Sequence, residues 1–265
     1  MSRVALIFIG HSHLSTIVSA LVPREGETYD PEEGCEYFIF NTIQQGANFQ
    51  FSVPAEDGGY VLNPELVRLI DERVPRNYQR VLVSMFGGNA HNALTLLEHP
   101  KPFDFILPEQ PDCPRISGTQ LLPYGLISQF IYKLAEPYML NLATLRNAFS
   151  DPVIHIESPP PIGDDAYVLE NLEGYFRDQA EDPKPAPRWL RYKLWRLHSA
   201  LVREHADALG VEFLAAPAEA LEEDGFLARS DYGNDSTHAG ANYGLRIMKQ
   251  LEARMGMRYG GWSWL

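Results

Sequence analysis

Phe8-Ile9-Gly10-His11-Ser12-His13-Leu14 follows directly on the apolar run Val4 to Ile9 and decides how the rest of the chain is read. Six apolar residues without a charge, ended by glycine and followed at once by polar residues, read as a buried strand that ends in a sharp turn toward a helix. In an open α/β sheet such a turn leaves the next side chain exposed at the carboxyl edge of the sheet, where ligands bind. Here that side chain is Ser12. A serine hydroxyl is a poor nucleophile unless a base takes its proton, so the search moves outward to strands, helices and a base.

The strands expected are Arg3 to Ile9, Tyr37 to Thr42, Arg80 to Met85, Val153 to Ile156 and Val211 to Leu214. The helices expected are Leu14 to Leu21, a helix capped by Asn63 with Pro64 at its first position, Leu126 to Ala148 interrupted at Pro137, Arg188 to Leu209 and Ala241 to Met255, with a short one near Tyr167 to Phe176. Ile43 to Asn63 carries no clear period and reads as a loop, and Leu94 to Gly125 is Pro-rich and irregular. Strands alternating with helices five times predict an α/β fold with a mostly parallel five-stranded sheet covered on both faces. One domain over 1–265 is expected, with 94–148 as a Pro-rich and helical insertion or lid beside the sheet.

Composition narrows the function classes. The chain has 265 residues, 45% hydrophobic and 22% charged, with a net charge of −13. That balance suits a soluble globular protein and argues against nucleic acid or an anionic membrane surface as the main partner. No stretch approaches the roughly 20 apolar residues of a membrane span. No basic leader or cleavage site precedes the first strand, and the expected location is cytoplasmic. Cys35 and Cys113 form no CxxC pair and read as unrelated thiols. Arg188, Arg191, Lys193 and Arg196 could bind an anion or a lipid head group, although a solvated helix face explains them equally well. The Trp262-Ser263-Trp264 tail is expected to pack on the body.

A base for Ser12 should be a histidine oriented by a carboxylate. Of eight histidines, only His238 has an acid at short fixed spacing in a loop that opens a helix: Asp235-Ser236-Thr237-His238, between Gly233 and Gly240. The plain alternative is that Asp235 caps the last helix and His238 sits in its first turn. Oxyanion donors are available at two more strand exits, the amide of Gly46 and the side chain of Asn89 in Gly87-Gly88-Asn89, although both are also ordinary turn residues. Gly10-His11-Ser12-His13-Leu14-Ser15 has one glycine where a dinucleotide-binding turn needs three.

In this order the four blocks resemble the SGNH, or GDSL-like, hydrolase superfamily: Gly10-His11-Ser12, Gly46, Gly87-Gly88-Asn89 and Asp235-Ser236-Thr237-His238. The resemblance implies a three-layer α/β/α, flavodoxin-like fold and ester hydrolysis through an acyl-enzyme, with Ser12 as nucleophile, His238 as base and Asp235 as its orienter. It also implies an oxyanion hole made by the amides of Ser12 and Gly46 with the Asn89 side chain. His11 stands where that family usually has Asp, and Ala90 where an Asp commonly follows the asparagine. His11, His13 and His91 have imidazoles that could ligate a metal, but no third or fourth ligand stands at diagnostic spacing, so they are expected to line the substrate mouth. No metal and no cofactor are expected. The substrate expected is a small-molecule or carbohydrate ester, acetyl or otherwise short in its acyl part. The same site could transfer the acyl group to another alcohol, and a non-catalytic binding protein on this scaffold is the alternative. Nothing in the sequence fixes an oligomeric state.

Overall fold

In the computed structural model, residues 3–24, 34–42, 49–88, 90–92, 96–178 and 181–265 are described. The first strand, β1 (Val4–Gly10), is buried along its whole length. Its side chains alternate between two cores. Val4, Leu6 and Phe8 pack with Leu14, Ile17 and Leu21 of α1 (Leu14–Leu21) and with Tyr243, Ile247 and Leu251 of a later helix, Ala241–Met255. Ala5, Ile7 and Ile9 point the other way, toward Leu66 and Ile70 of α2 (Pro64–Arg73) and Leu142 and Leu145 of α3 (Tyr124–Ala148). A strand buried on both faces needs helices on both faces, and the result is the three-layer α/β/α arrangement.

The remaining strands in chain order are β2 (Gly34–Asn41), β3 (Ser52–Pro54), β4 (Tyr60–Leu62), β5 (Gln79–Met85), β6 (Phe103–Asp104), β7 (Gln120–Leu121), β8 (Val153–Ile156), β9 (Glu212–Leu214) and β10 (Arg258–Trp264). The main sheet runs β10-β2-β1-β5-β8-β9, and every pairing in it is parallel. Without its first member this is the flavodoxin-like order, in which the connections reverse direction between β1 and β5 and open a crevice at their carboxyl ends.

The sheet has six strands, not five. The tail forms β10, which pairs with β2 through Trp262 opposite Tyr37 and Trp264 opposite Ile39. Gly260 and Gly261 interrupt its register between Tyr259 and Trp262, which is why no apolar run marks the strand in the sequence. The segment read as a loop from Ile43 to Asn63 contains the β3–β4 hairpin, whose turn places Gly58 at φ +84°. Its strands are three residues long, too short for a visible period. Residues 94–125 likewise contain the β6–β7 pair.

Helix α3 runs unbroken through Pro137. The ring removes one N–H donor and crowds the carbonyl of Lys133. Packing on both sides holds the helix together: Ile127 and Ile131 lie in one apolar cluster, Leu142 and Leu145 in another. The short helix expected near Tyr167 is two pieces, α4 (Asp165–Glu170) and α5 (Gly174–Arg177); α6 (Arg188–Ala208) and α7 (Ala241–Met255) complete the set described.

Two of the four basic residues read on α6, Arg191 and Lys193, are not part of a solvated face, while Arg188 and Arg196 are partly exposed. Arg191 and Lys193 are each 1% exposed. Arg191 donates to Asp165 at 2.7 Å and to the Ile162 carbonyl at 2.9 Å; Lys193 donates to Asp104 at 2.8 Å. A cation is buried only where a partner awaits it. Both partners come from segments distant in sequence, so helical periodicity could not reveal them.

Candidate functional site

β1 ends at Gly10 because no other residue fits there: a Cβ would lie 2.5 Å from the Met85 carbonyl oxygen of the adjacent strand. The chain then turns, with the amide of Leu14 donating to the His11 carbonyl at 3.0 Å and that of Ser15 to the Ser12 carbonyl at 2.9 Å, and α1 begins. Ser12 is therefore held, half-buried, at the carboxyl end of β1 beside the β1–β5 crevice.

The second part of the site is the loop 233–238. The Gly233 amide donates to the His238 carbonyl at 2.9 Å, and a Cβ on Gly233 would come within 2.4 Å of that oxygen, so the loop can close only on glycine. Asp235 does not cap the last helix, which starts at Ala241 with Gly240 as its N-cap. Instead its Oδ1 accepts the backbone amides of Thr237 and His238 at 2.9 and 2.7 Å, while Oδ2 lies 2.8 Å from His238 Nδ1. Burial pushes the Asp235 carboxyl up, but the hydrogen bond and charge of His238 and the two amides outweigh it and hold the group at about 2. An ionised carboxylate can only accept, so Nδ1 carries the proton and Nε2 is left as an acceptor. That nitrogen is 2.8 Å from Ser12 Oγ. Two segments separated by 226 positions thus meet in one hydroxyl–imidazole–carboxylate relay.

A residue that the sequence did not single out joins them. Glu173, just before α5, accepts from the Ser236 hydroxyl at 2.5 Å and the Thr237 hydroxyl at 2.9 Å, and its carboxylate is 3.9 Å from His238 Nδ1. It comes from an acidic connecting stretch with no motif of its own, and only the fold brings it here. Among the described residues, Glu173, Asp235 and His238 are a group whose ligand-type atoms lie within 4.8 Å of one another. The hydrogen bonds given above already engage all three.

No family model matches the sequence, and no curated protein matches it. Solved structures do. The chain is similar to a GDSL-like lipase from Bacteroides thetaiotaomicron VPI-5482, at 13% identity over 95% of this chain and 86% of that one with a TM-score of 0.43. It is also similar to a carbohydrate acetylesterase from Sinorhizobium meliloti, at 14% identity over 96% and 98% with a TM-score of 0.43. A third is the periplasmic domain of a lipopolysaccharide acetyltransferase from Salmonella ser. Paratyphi A, at 13% identity over 95% and 83% with a TM-score of 0.45. Likenesses of this degree leave the reaction to be read from the site itself.

The three histidines expected at the substrate mouth are placed differently. His11 lines an open cleft of about 780 Å³ bounded by the β3–β4 hairpin and the Pro137 turn of α3, with its ring 5.6 Å from that of Tyr138; burial lowers its pKa. His13 is buried against the His238 ring, 4.6 Å away between centroids. His91 is 1% exposed beside His198, and its pKa falls well below the usual value through burial and then through the charges of His198 and His13. Gly46 and Asn89 lie outside the described residues.

Proposed function

We propose that the chain is a serine hydrolase of the SGNH kind that cleaves carboxylic esters through an acyl-enzyme on Ser12. The relay of 2.8 Å from Ser12 Oγ to His238 Nε2 and 2.8 Å from His238 Nδ1 to Asp235 carries this reading. Ser12 Oγ attacks the ester carbonyl as Nε2 takes its proton; the tetrahedral adduct collapses when the imidazolium returns that proton to the departing alcohol. Nε2 then deprotonates a water that attacks the acyl carbonyl, and Ser12 regains its proton as the acid leaves. Asp235 holds the tautomer and offsets the imidazolium charge. The resemblance assigns the oxyanion hole to the amides of Ser12 and Gly46 and to the Asn89 side chain. The substrate proposed is an acetyl or other short acyl ester of a carbohydrate or small metabolite. A second alcohol in place of water would make the same acyl-enzyme an O-acyltransferase.

A small serine-directed fluorophosphonate tests the reading. The native protein should be labelled covalently on Ser12, and Ser12→Ala should not be labelled at all. A folded native protein that stays unlabelled, or labelling that survives in Ser12→Ala, removes the esterase and acyltransferase readings and leaves a binding protein.

A further inference from the structure

Taking Ser12 as the nucleophile, we propose that the cleft beside His11 receives the larger part of the substrate, and that this part is an uncharged ring with a flat apolar face, a neutral sugar or an aryl group. The cleft lies beside the strand exit that bears Ser12: His11, which precedes the serine, lines it, and Thr42, another lining residue, donates its hydroxyl to the Gly10 carbonyl at 2.9 Å. At about 780 Å³ it is far larger than an acetyl group and has room for a ring-bearing small molecule. Its walls offer the rings of Phe49, Tyr60 and Tyr138, with the amides of Gln50 and Asn141 between them.

What the lining lacks is equally informative. In a chain that is 22% charged with a net charge of −13, the residues lining this cleft among those described include no Asp, Glu, Lys or Arg. An anionic substituent would lose water there without gaining a counter-charge, and the overall field would repel it on approach. Amides and aromatic faces together suit hydroxyls on one edge of a ring and C–H groups on its face.

The test compares kcat/KM for 1-naphthyl acetate, an O-acetylated neutral methyl pyranoside, an O-acetylated uronate with a free carboxylate, and acetylcholine. Relative to each ester's own rate of hydroxide hydrolysis, one of the two neutral esters should exceed the uronate by at least 10-fold, and which one does so identifies the ring. Leu140→Lys at the cleft rim, where Leu140 is 36% exposed, should narrow the gap to the uronate by at least 5-fold. Equal turnover of the uronate, a preference for acetylcholine, or a gap unmoved by Leu140→Lys overturns the proposal. Equilibrium binding of the same four compounds to Ser12→Ala reads the cleft without turnover. The same ranking there upholds the cleft even if labelling removes the nucleophile, and binding without charge discrimination refutes it.

A separate observation concerns the base. The geometry points to Glu173 as a positioning residue for His238, since it clamps Ser236 and Thr237 and sets a second carboxylate 3.9 Å from Nδ1. Among the described residues, the groups facing the imidazole include Ser12 and His13 from the β1–α1 turn, Asp235 and Thr237 from its own loop, and Glu173 just before α5. Glu173→Gln keeps the shape and an acceptor but removes the charge, so the imidazolium loses support and the acid limb of the kcat/KM profile should move down by about half a pH unit or more. Glu173→Ala, which also frees the two hydroxyls, should lose kcat further with KM nearly unchanged. The His238 ring titration followed by NMR reads the same shift without substrate. An unmoved titration in Glu173→Gln refutes the role.

Discussion

Replacing His238 with alanine should lower kcat by roughly 10³-fold or more while leaving the folded state in place. Without Nε2 the Ser12 hydroxyl has only water to receive its proton, and the departing alcohol has no acid. On the proposed reading, what survives is the catalysis of the oxyanion donors and of binding. The fold should survive because the loop 233–238 is closed by backbone hydrogen bonds from Gly233 and Gly240, which do not need the imidazole. Asp235→Asn should lose less than His238→Ala, but still a great deal. An amide nitrogen facing Nδ1 would favour the tautomer whose proton sits on Nε2, where it cannot accept from serine. The pH profile adds a check. With Asp235 held at about 2, its carboxylate stays ionised throughout the working range, so an acid limb above pH 4 does not belong to Asp235. Turnover by His238→Ala within 10-fold of native, in a protein with an unchanged circular dichroism spectrum, would assign the base elsewhere.

Ser12, Asp235 and His238 were legible because glycines punctuate both segments. Gly10 marks a strand end that another backbone crowds, and Gly233 marks a loop too tight for a side chain. Such constraints are local and leave a trace in the sequence. Glu173 leaves none, because its contacts with Ser236 and Thr237 exist only after the chain has folded. The α/β class and five of the six main strands were legible from apolar runs. β10 was not, because two glycines split it and its stability comes from pairing with β2. The same reason hid the buried cations of α6. A helical wheel shows which face a lysine occupies, and it cannot show that Asp104 arrives there from a two-residue strand.

Lys193→Ala should destabilise the fold by about 3–5 kcal/mol, the usual result of stranding one member of a buried ion pair. The Lys193 and Asp104 side chains are 1% and 0% exposed, and their charged atoms are 2.8 Å apart. Asp104 also accepts the amides of Phe105 at 2.8 Å and Ile116 at 3.0 Å, so it fastens residues 103–122 to α6, where Phe105 and Leu107 pack on Leu190, Leu194 and Leu197. Burial raises the carboxyl, but Lys193 and the two amides outweigh it and hold the group below its ordinary value. A carboxyl depressed in this way stabilises the native state above its unfolded pKa of about 3.9 and ceases to do so as pH falls through the folded value. The pair therefore predicts flat stability between pH 5 and 8 from this source. Without the lysine, burial is opposed only by the amides and the half-exposed Arg115, so the carboxyl should rise and the sign reverses: the variant should lose further stability as pH rises through the new value. Urea unfolding at pH 5 and pH 8 separates this from simple loss of packing, which would cost the same at both. Replacing both partners, Asp104→Leu with Lys193→Met, should recover only part of the loss, since no charge is then left buried alone but the Phe105 and Ile116 amides lose their acceptor. If Lys193→Ala falls within 1 kcal/mol of native at both pH values, the ion pair does not anchor this segment.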